Sequence, residues 1–206
     1  AGTDVNNASF KPEKGRQVEV GVKFDTPGKN GLLTLAAFDL VRKNVLTSDP
    51  VNTGYSVAVG EQRSRGFEAE LTQDLGNGLS VMAAYAYSDG EVTEDTVAAN
   101  VGKPLNAVPR HSFSLWTQYR FRGALAGWWA GVGARGESAK RGYSFSYTVP
   151  GYAVADLGFG YTASHWRAAF NVKNVFDKAY YAGGLNNNVL PVGNPRVAML
   201  NVVLNY

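Results

Sequence analysis

Apolar and polar residues alternate with period two along most of this chain, and almost no segment sustains an i, i+3, i+4, i+7 stripe. In "QVEVGVKF", Val18, Val20, Val22 and Phe24 share one face, and Gln17, Glu19, Gly21 and Lys23 share the other. "GFEAELTQDL" sets Phe67, Ala69, Leu71 and Leu75 against Glu68, Glu70, Thr72 and Asp74. "LSVMAAYAYS", "HSFSLWTQYRF", "HWRAAFNVK" and the terminal run through Ala198, Leu200, Val202 and Leu204 repeat the pattern. The alternation predicts roughly nine strands of about 9–13 residues, long for a globular sheet and suited to a tilted membrane crossing. The phase has defects: Thr34 and Gln73 fall on the apolar side, and Trp116, Trp129, Met199 and Val203 on the polar side.

The connections between these strands alternate in length. Short ones fall at 26–30, 76–78, 122–126 and 162–165, and long ones at roughly 46–62, 89–108, 138–150 and 182–195. Short turns on one edge and long loops on the other are the up-and-down pattern of an outer-membrane barrel. Aromatic residues gather near strand ends (Phe24, Tyr85, Tyr87, Phe121, Trp128, Tyr161, Trp166 and Tyr206), the girdle position at two membrane interfaces.

Composition sharpens this picture. Of the 206 residues, 18% are charged, below the usual quarter of a soluble domain, and 12% are aromatic. The net charge of +3 and the lack of a Lys/Arg run give no reason to expect a nucleic-acid partner. Cysteine is absent, which fits either a reducing compartment or passage through an oxidising periplasm. No run of 18 apolar residues occurs, so no transmembrane helix is expected; that observation is silent about strands.

Seven stretches, in order and in register, carry a family resemblance: "KPEKGRQVEVGVK" (11–23), "FDLVRKNV" (38–45), "GEQRSRGFEAEL" (60–71), "VPRHSFSLWTQYRF" (108–121), "VPGYAVADLGFGY" (149–161), "WRAAFNVKNVFDKAYY" (166–181) and "LNVVLNY" (200–206). Together they resemble the C-terminal barrel portion of TonB-dependent outer-membrane receptors for ferric siderophores. The resemblance implies an all-β, antiparallel outer-membrane barrel of about 22 strands closed by a plug. It implies that residues 1–206 are a C-terminal segment, with the plug and the first part of the barrel absent. It further implies uptake of a ferric siderophore as ligand, no bound cofactor, energy from the TonB complex through an absent N-terminal region, and residence in the bacterial outer membrane. The other implied partners are outer-membrane lipid and the barrel assembly machinery, for which Tyr206 resembles the terminal aromatic assembly signal.

Enzyme-like motifs are weak by comparison. "GVGARG" (131–136) satisfies G-x-G-x-x-G, but no helical stripe follows it to receive a pyrophosphate. Gly131 and Gly133 fit better as lumen-side positions where a neighbouring strand or a plug approaches closely. His111 and His165 lack partners at metal-ligand spacing, and no Gly-x-Ser-x-Gly occurs, so no enzymatic activity and no metal site are expected. Glu68 and Glu70 read as a charged barrel wall rather than an acid–base pair, with Arg63 and Arg65 nearer the loop. "NAS" (7–9) is a chance match to a glycosylation site.

The candidate ligand contacts are Lys140, Arg141, Tyr143, Phe145 and Tyr147 in "KRGYSFSYTVPGY", where aromatic faces and cations suit a compact chelate. The competing reading is that these rings pack loop against loop. Asn186, Asn187 and Asn188 make the last loop polar. "NVKNVFDKAYYAG" (171–183) reads as the place where the penultimate strand leaves the apolar band, with Phe176, Tyr180 and Tyr181 clustered there. Two other readings stand beside the receptor: a passive channel or barrel without a plug, and a soluble lipocalin-like binder.

Overall fold

Cross-strand pairing turns the alternation into one antiparallel sheet. The structure, a computed structural model, describes residues 4–142, 147–183 and 190–204. Its strands are β1 (Lys14–Asp25), β2 (Gly31–Ser48), β3 (Ser56–Gly76), β4 (Leu79–Glu94), β5 (His111–Arg120), β6 (Trp128–Glu137), β7 (Lys140–Arg141), β8 (Thr148–Val149), β9 (Tyr152–Thr162), β10 (Trp166–Lys173) and β11 (Val197–Leu204). Nine of them form a sheet in the order β1-β2-β3-β4-β5-β6-β9-β10-β11, so every sequential neighbour pairs and the arc stays open, with β1 and β11 at its edges. The two-residue strands β7 and β8 make a separate hairpin within the connection from β6 to β9.

The register carries one apolar face across all nine strands. Val20 lies opposite Ala37, Ala37 opposite Phe67, and Phe67 opposite Tyr87. Ala83 is opposite Leu115, Leu115 opposite Ala134, and Ala134 opposite Ala155. Phe159 meets Phe170, which meets Leu200. Directly opposed residues point to the same face of a sheet. The stripe from Phe67 to Leu75 on β3 covers about 27 Å of strand, or roughly 21 Å across a tilted wall, close to the apolar band of a membrane barrel. These side chains are exposed: Val20 is 72% accessible and Leu200 67%. Among the described residues the only buried hydrophobic side chains are Val92, Val149 and Val154. This sheet is a single layer whose apolar face needs lipid, not a second protein layer.

Three strands outrun the expectation from sequence. β2, β3 and β4 reach 18, 21 and 16 residues, so the connections read at 46–62 and 89–108 shrink to 49–55 and 95–110. The alternation was lost there because charged residues replace apolar ones on the outward face. The backbone ladder does not depend on that change and continues past it. Thr34 is also corrected: it lies opposite Lys23 and Glu70, on the polar face. The β3–β4 turn is set by Gly76, Asn77 and Gly78, whose φ angles of 77°, 53° and 90° need residues that tolerate the left-handed region.

Candidate functional site

On the polar face Glu70, Ser114, Arg135 and Asp156 line a shallow concavity of about 430 Å³, and Glu68 lines a neighbouring one of about 300 Å³. Two indoles lie flat on this wall. A Cβ on Gly131 would meet Trp116, 2.9 Å from its Cε2, and one on Gly133 would stand 2.6 Å from its Cε3. Gly158 lies under both Trp116 and Trp129, and Gly160 under Trp129. Gly131 and Gly133 of GVGARG therefore accommodate a tryptophan from β5, as Gly158 and Gly160 accommodate Trp129, and the motif runs along strand β6, with no helix to hold a phosphate. Trp116 and Trp129, phase defects in the sequence, are the partners of these glycines. Glu68 and Glu70 lie opposite Ala86 and Ala84 and have no ion pair among the described residues, whereas Arg63 and Arg65 stand on the outward face.

Where this wall meets the long-loop edge, polar side chains converge. Arg135 Nε donates to Asp156 Oδ2 at 3.3 Å, and Asp156 Oδ1 accepts the Asn174 amide at 2.8 Å. Arg135 also neighbours Tyr180, whose ring packs on Tyr152 with centroids 4.2 Å apart and planes 31° apart. Beside them Lys140 pairs with Glu137, and its ammonium reaches the Ala182 carbonyl at 3.3 Å. A cation, an anion and two packed rings thus share one lumen-facing corner, a chemistry that recognises a planar or anionic ligand.

Asn174 organises that corner. It is 1% exposed and takes φ 50°, a left-handed conformation that asparagine tolerates. Its Nδ2 donates to the Lys178 carbonyl at 2.9 Å and the Asn194 carbonyl at 3.1 Å, and its Oδ1 accepts the Lys178 amide at 2.9 Å. Asp177 Oδ1 accepts the Arg196 amide at 2.7 Å. The two ends of the last connection are held together by these contacts. "NVKNVFDKAYYAG" is a boundary, since β10 stops at Lys173, and it is also a staple. The expected ring cluster does not form: Tyr180 joins Tyr152, while Phe176 is 80% exposed. A polar hub made by two stretches some twenty residues apart leaves no periodic signal in the sequence.

Of the proposed ligand contacts, Lys140 is buried in its ion pair and ties two connections together. Arg141 sits in the β7–β8 hairpin, and its carbonyl accepts the Ala107 amide at 2.8 Å. Tyr147 packs over Gly142. Tyr143, Phe145, Asn186, Asn187, Asn188 and Tyr206 lie outside the described residues. His111 Nδ1 shares a 2.7 Å hydrogen bond with Tyr85 Oη on the outward face, and Trp128, Tyr161 and Trp166 form a second aromatic cluster at the short-turn edge. Sequence reasoning placed most of these rings at the interfaces but missed Phe67 and His111, which join Tyr85 and Tyr87.

Residues 1–175 match the family described as TonB dependent receptor-like, beta-barrel. Among curated proteins, the metal-pseudopaline receptor of Pseudomonas aeruginosa is 43% identical over 212 residues, covering 100% of this chain and 29% of that protein. The ferrichrome outer membrane transporter/phage receptor of Escherichia coli is 35% identical over 184 residues, covering 86% and 24%. Among solved structures, the ferric preacinetobactin receptor of Acinetobacter baumannii superposes with a TM-score of 0.82 at 26% identity, over 98% of this chain and 31% of that one. The chain spans less than a third of the length of these relatives. An open arc of paired strands, a lipid-facing belt, a polar inner wall and a match over most of the sequence place this chain in the TonB-dependent receptor β-barrel family of the bacterial outer membrane.

Proposed function

We propose that this chain supplies nine wall strands and their long outer connections to a plugged receptor that imports a chelated metal ion, with ferric siderophores as the leading ligand class. The observation that carries the reading is the convergence of Arg135, Asp156, Tyr152 and Tyr180 on the lumen side where the long connections meet. Ligand capture falls to that corner and to the connection holding Arg141, Tyr143, Phe145 and Tyr147. Import is driven through TonB, and the chain contributes no catalytic step. A metal-pseudopaline receptor among the similar proteins widens the ligand class to metal chelates other than ferric ones.

The test uses the full-length gene. Deletion should abolish growth and radiolabelled metal uptake on at least one member of a panel of ferrichrome, ferrioxamine, a ferric catecholate and metal–pseudopaline. Complementation should restore it only in cells with an intact TonB system. Uptake that persists without TonB identifies a passive channel instead. Replacing Tyr143, Phe145 and Tyr147 together by Ala should weaken chelate binding at least tenfold, and unchanged affinity would remove that connection from the binding surface.

A further inference from the structure

The connection from β6 to β9 is anchored at several points before it reaches the lumen corner. Ser138 donates its amide to the His111 carbonyl at 2.8 Å, which fixes the start of the connection to β5. In the β7–β8 hairpin, Lys140 lies opposite Val149, a fully buried side chain, and Arg141 opposite Thr148. The Arg141 carbonyl accepts the Ala107 amide at 2.8 Å, within a parallel bridge between Asn106 and Arg141. That bridge ties β7 to the connection 95–110. The latter is bound to β4, with Val92 donating to the Lys103 carbonyl at 3.0 Å and Leu105 to the Gly90 carbonyl at 2.9 Å. β7 is therefore a firm post, and Lys140 stands on it.

From that post the Lys140 ammonium reaches the Ala182 carbonyl, two residues beyond Tyr180. Residues 180–182 run antiparallel to 191–193. The Ala182 amide donates to the Pro191 carbonyl at 2.9 Å, and the Gly193 amide to the Tyr180 carbonyl at 2.7 Å. The Tyr180 ring covers Gly193, where a Cβ would stand 2.1 Å from its Cζ, and packs on Tyr152. Asn174 holds the ends of the last connection at Lys178 and Asn194, whereas Lys140 holds it close to the ring. Lys140 is 7% exposed, and two of its three donors are taken by Glu137 and Ala182, so its ammonium is not offered to a ligand. A buried ammonium is costly unless its charge is matched and its donors are satisfied. Any arrangement that parts it from Glu137 or Ala182 is therefore disfavoured, which an apolar contact at the same place would not achieve.

We propose that Lys140 is a positioning residue for ligand capture: it clasps the last connection to β7 and so presets Tyr180 against Tyr152 and beside Arg135. The inference rests on the reading of that corner as a capture site. A ring already held in place has less freedom to lose when a chelate binds. Lys140 thus acts on affinity through Ala182 and Tyr180, without touching the chelate. Glu137, at the end of β6, supplies the counter-charge that keeps the ammonium at this depth.

The experiment uses the full-length receptor in dodecyl maltoside micelles and follows hydrogen exchange by mass spectrometry of peptic fragments. Lys140→Met should speed exchange at Ala182 and Gly193 at least tenfold. The Lys178 amide, held by Asn174, the Ala107 amide, held by Arg141, and strands β6 and β9 should exchange as in the parent. Lys140→Arg, whose guanidinium can meet both Glu137 and the Ala182 carbonyl, should restore protection to within about threefold of the parent. Glu137→Gln/Lys140→Met leaves no unpaired charge but still lacks the donor to Ala182, so it should exchange as fast as Lys140→Met. If Lys140→Met fails to assemble, this double variant carries the same test. Parent-like exchange at Ala182 in either variant, or a Lys140→Arg receptor as fast as Lys140→Met, overturns the proposal. Loosening that spreads to Lys178, Ala107, β6 or β9 means general destabilisation and also overturns it. Of ferrichrome, ferrioxamine, a ferric catecholate and metal–pseudopaline, those that the parent binds should bind Lys140→Met at least fivefold more weakly. Equal affinity overturns the proposal. A parent that binds none of the four refutes the uptake reading and leaves the exchange result to decide the clasp.

Discussion

Placing a methyl group on Gly131 tests whether the lumen wall is built around its tryptophans. The new Cβ would press on Trp116, 2.9 Å from Cε2, and would stand 3.1 Å from the Thr117 carbonyl oxygen. Gly131 is not among the residues of positive φ, so the substitution meets a problem of space and not of backbone conformation. Overpacking of this kind typically costs about 1–3 kcal/mol. Trp116→Ala removes the obstacle and leaves only the tight but tolerable carbonyl contact. In that background Gly131→Ala should cost nothing, or stabilise by roughly 0.5 kcal/mol because glycine weakens a strand relative to alanine. The two substitutions should therefore couple by about 1–3.5 kcal/mol. The full-length receptor is refolded in detergent, its unfolding in guanidinium is followed by the mobility shift of the folded barrel, and the four corners of the cycle are compared. A coupling below about 0.5 kcal/mol would mean that Trp116 does not rest on Gly131, and the account of these glycines would fall.

Asn174→Ala removes three side-chain hydrogen bonds from a buried site, each worth about 1 kcal/mol, and places a residue other than asparagine at φ 50°. It should raise hydrogen exchange at residues 175–183 at least tenfold while leaving β10 protected, a pattern that mass spectrometry of peptic fragments resolves. The connection 49–55 should respond to acid. Hydrogen bonds from the Asn52 amide and side chain and from the Val51 amide hold the Asp49 carboxyl below its ordinary range. A carboxyl whose folded pKa is depressed contributes stability above its unfolded pKa and loses it as pH falls through the folded one. Exchange protection at Val51 and Asn52 should therefore hold at neutral pH and fall away below about pH 4. Asp49→Asn should flatten that dependence.

The lipid-facing belt was legible because one physical signal, period-two alternation, is written wherever a strand has lipid on one side and a polar lumen on the other. The same signal fails above the belt. At Asp39, Arg63, Arg65 and Glu91 charge replaces the apolar residue on the outward face, so the strand signal is gone although the ladder runs on. Trp116 and Gly131 are both visible as oddities in the sequence, but they lie fifteen positions apart and only the β5–β6 register brings them together. Asn174 gives no sign of its importance. Its bonds run to main-chain atoms of Lys178 and Asn194, and main-chain partners can belong to any residue type. The partner of Lys140 is hidden for a similar reason: only the fold reveals Glu137 and the Ala182 carbonyl beside it.

β3 shows why the register of this sheet has one solution. One parity of this strand carries Glu61, Arg63 and Arg65 and then Phe67, Ala69 and Leu71; the other carries Gln62, Ser64, Glu68, Glu70 and Thr72. A slip of one residue against β4 would exchange the two faces. Phe67 and Leu71 would leave the belt for the polar lumen, at about 1.5–3 kcal/mol each. Glu68 and Glu70 would enter lipid level with Tyr85 and Ala83, where a carboxylate finds no partner. Glu68 and Glu70 form no ion pair among the described residues in the native register, so their contribution is not a contact. They act against the alternative, by making the shifted sheet costly. Two acidic residues that resemble a catalytic pair in the sequence are thus explained by the solvent on each side of the wall.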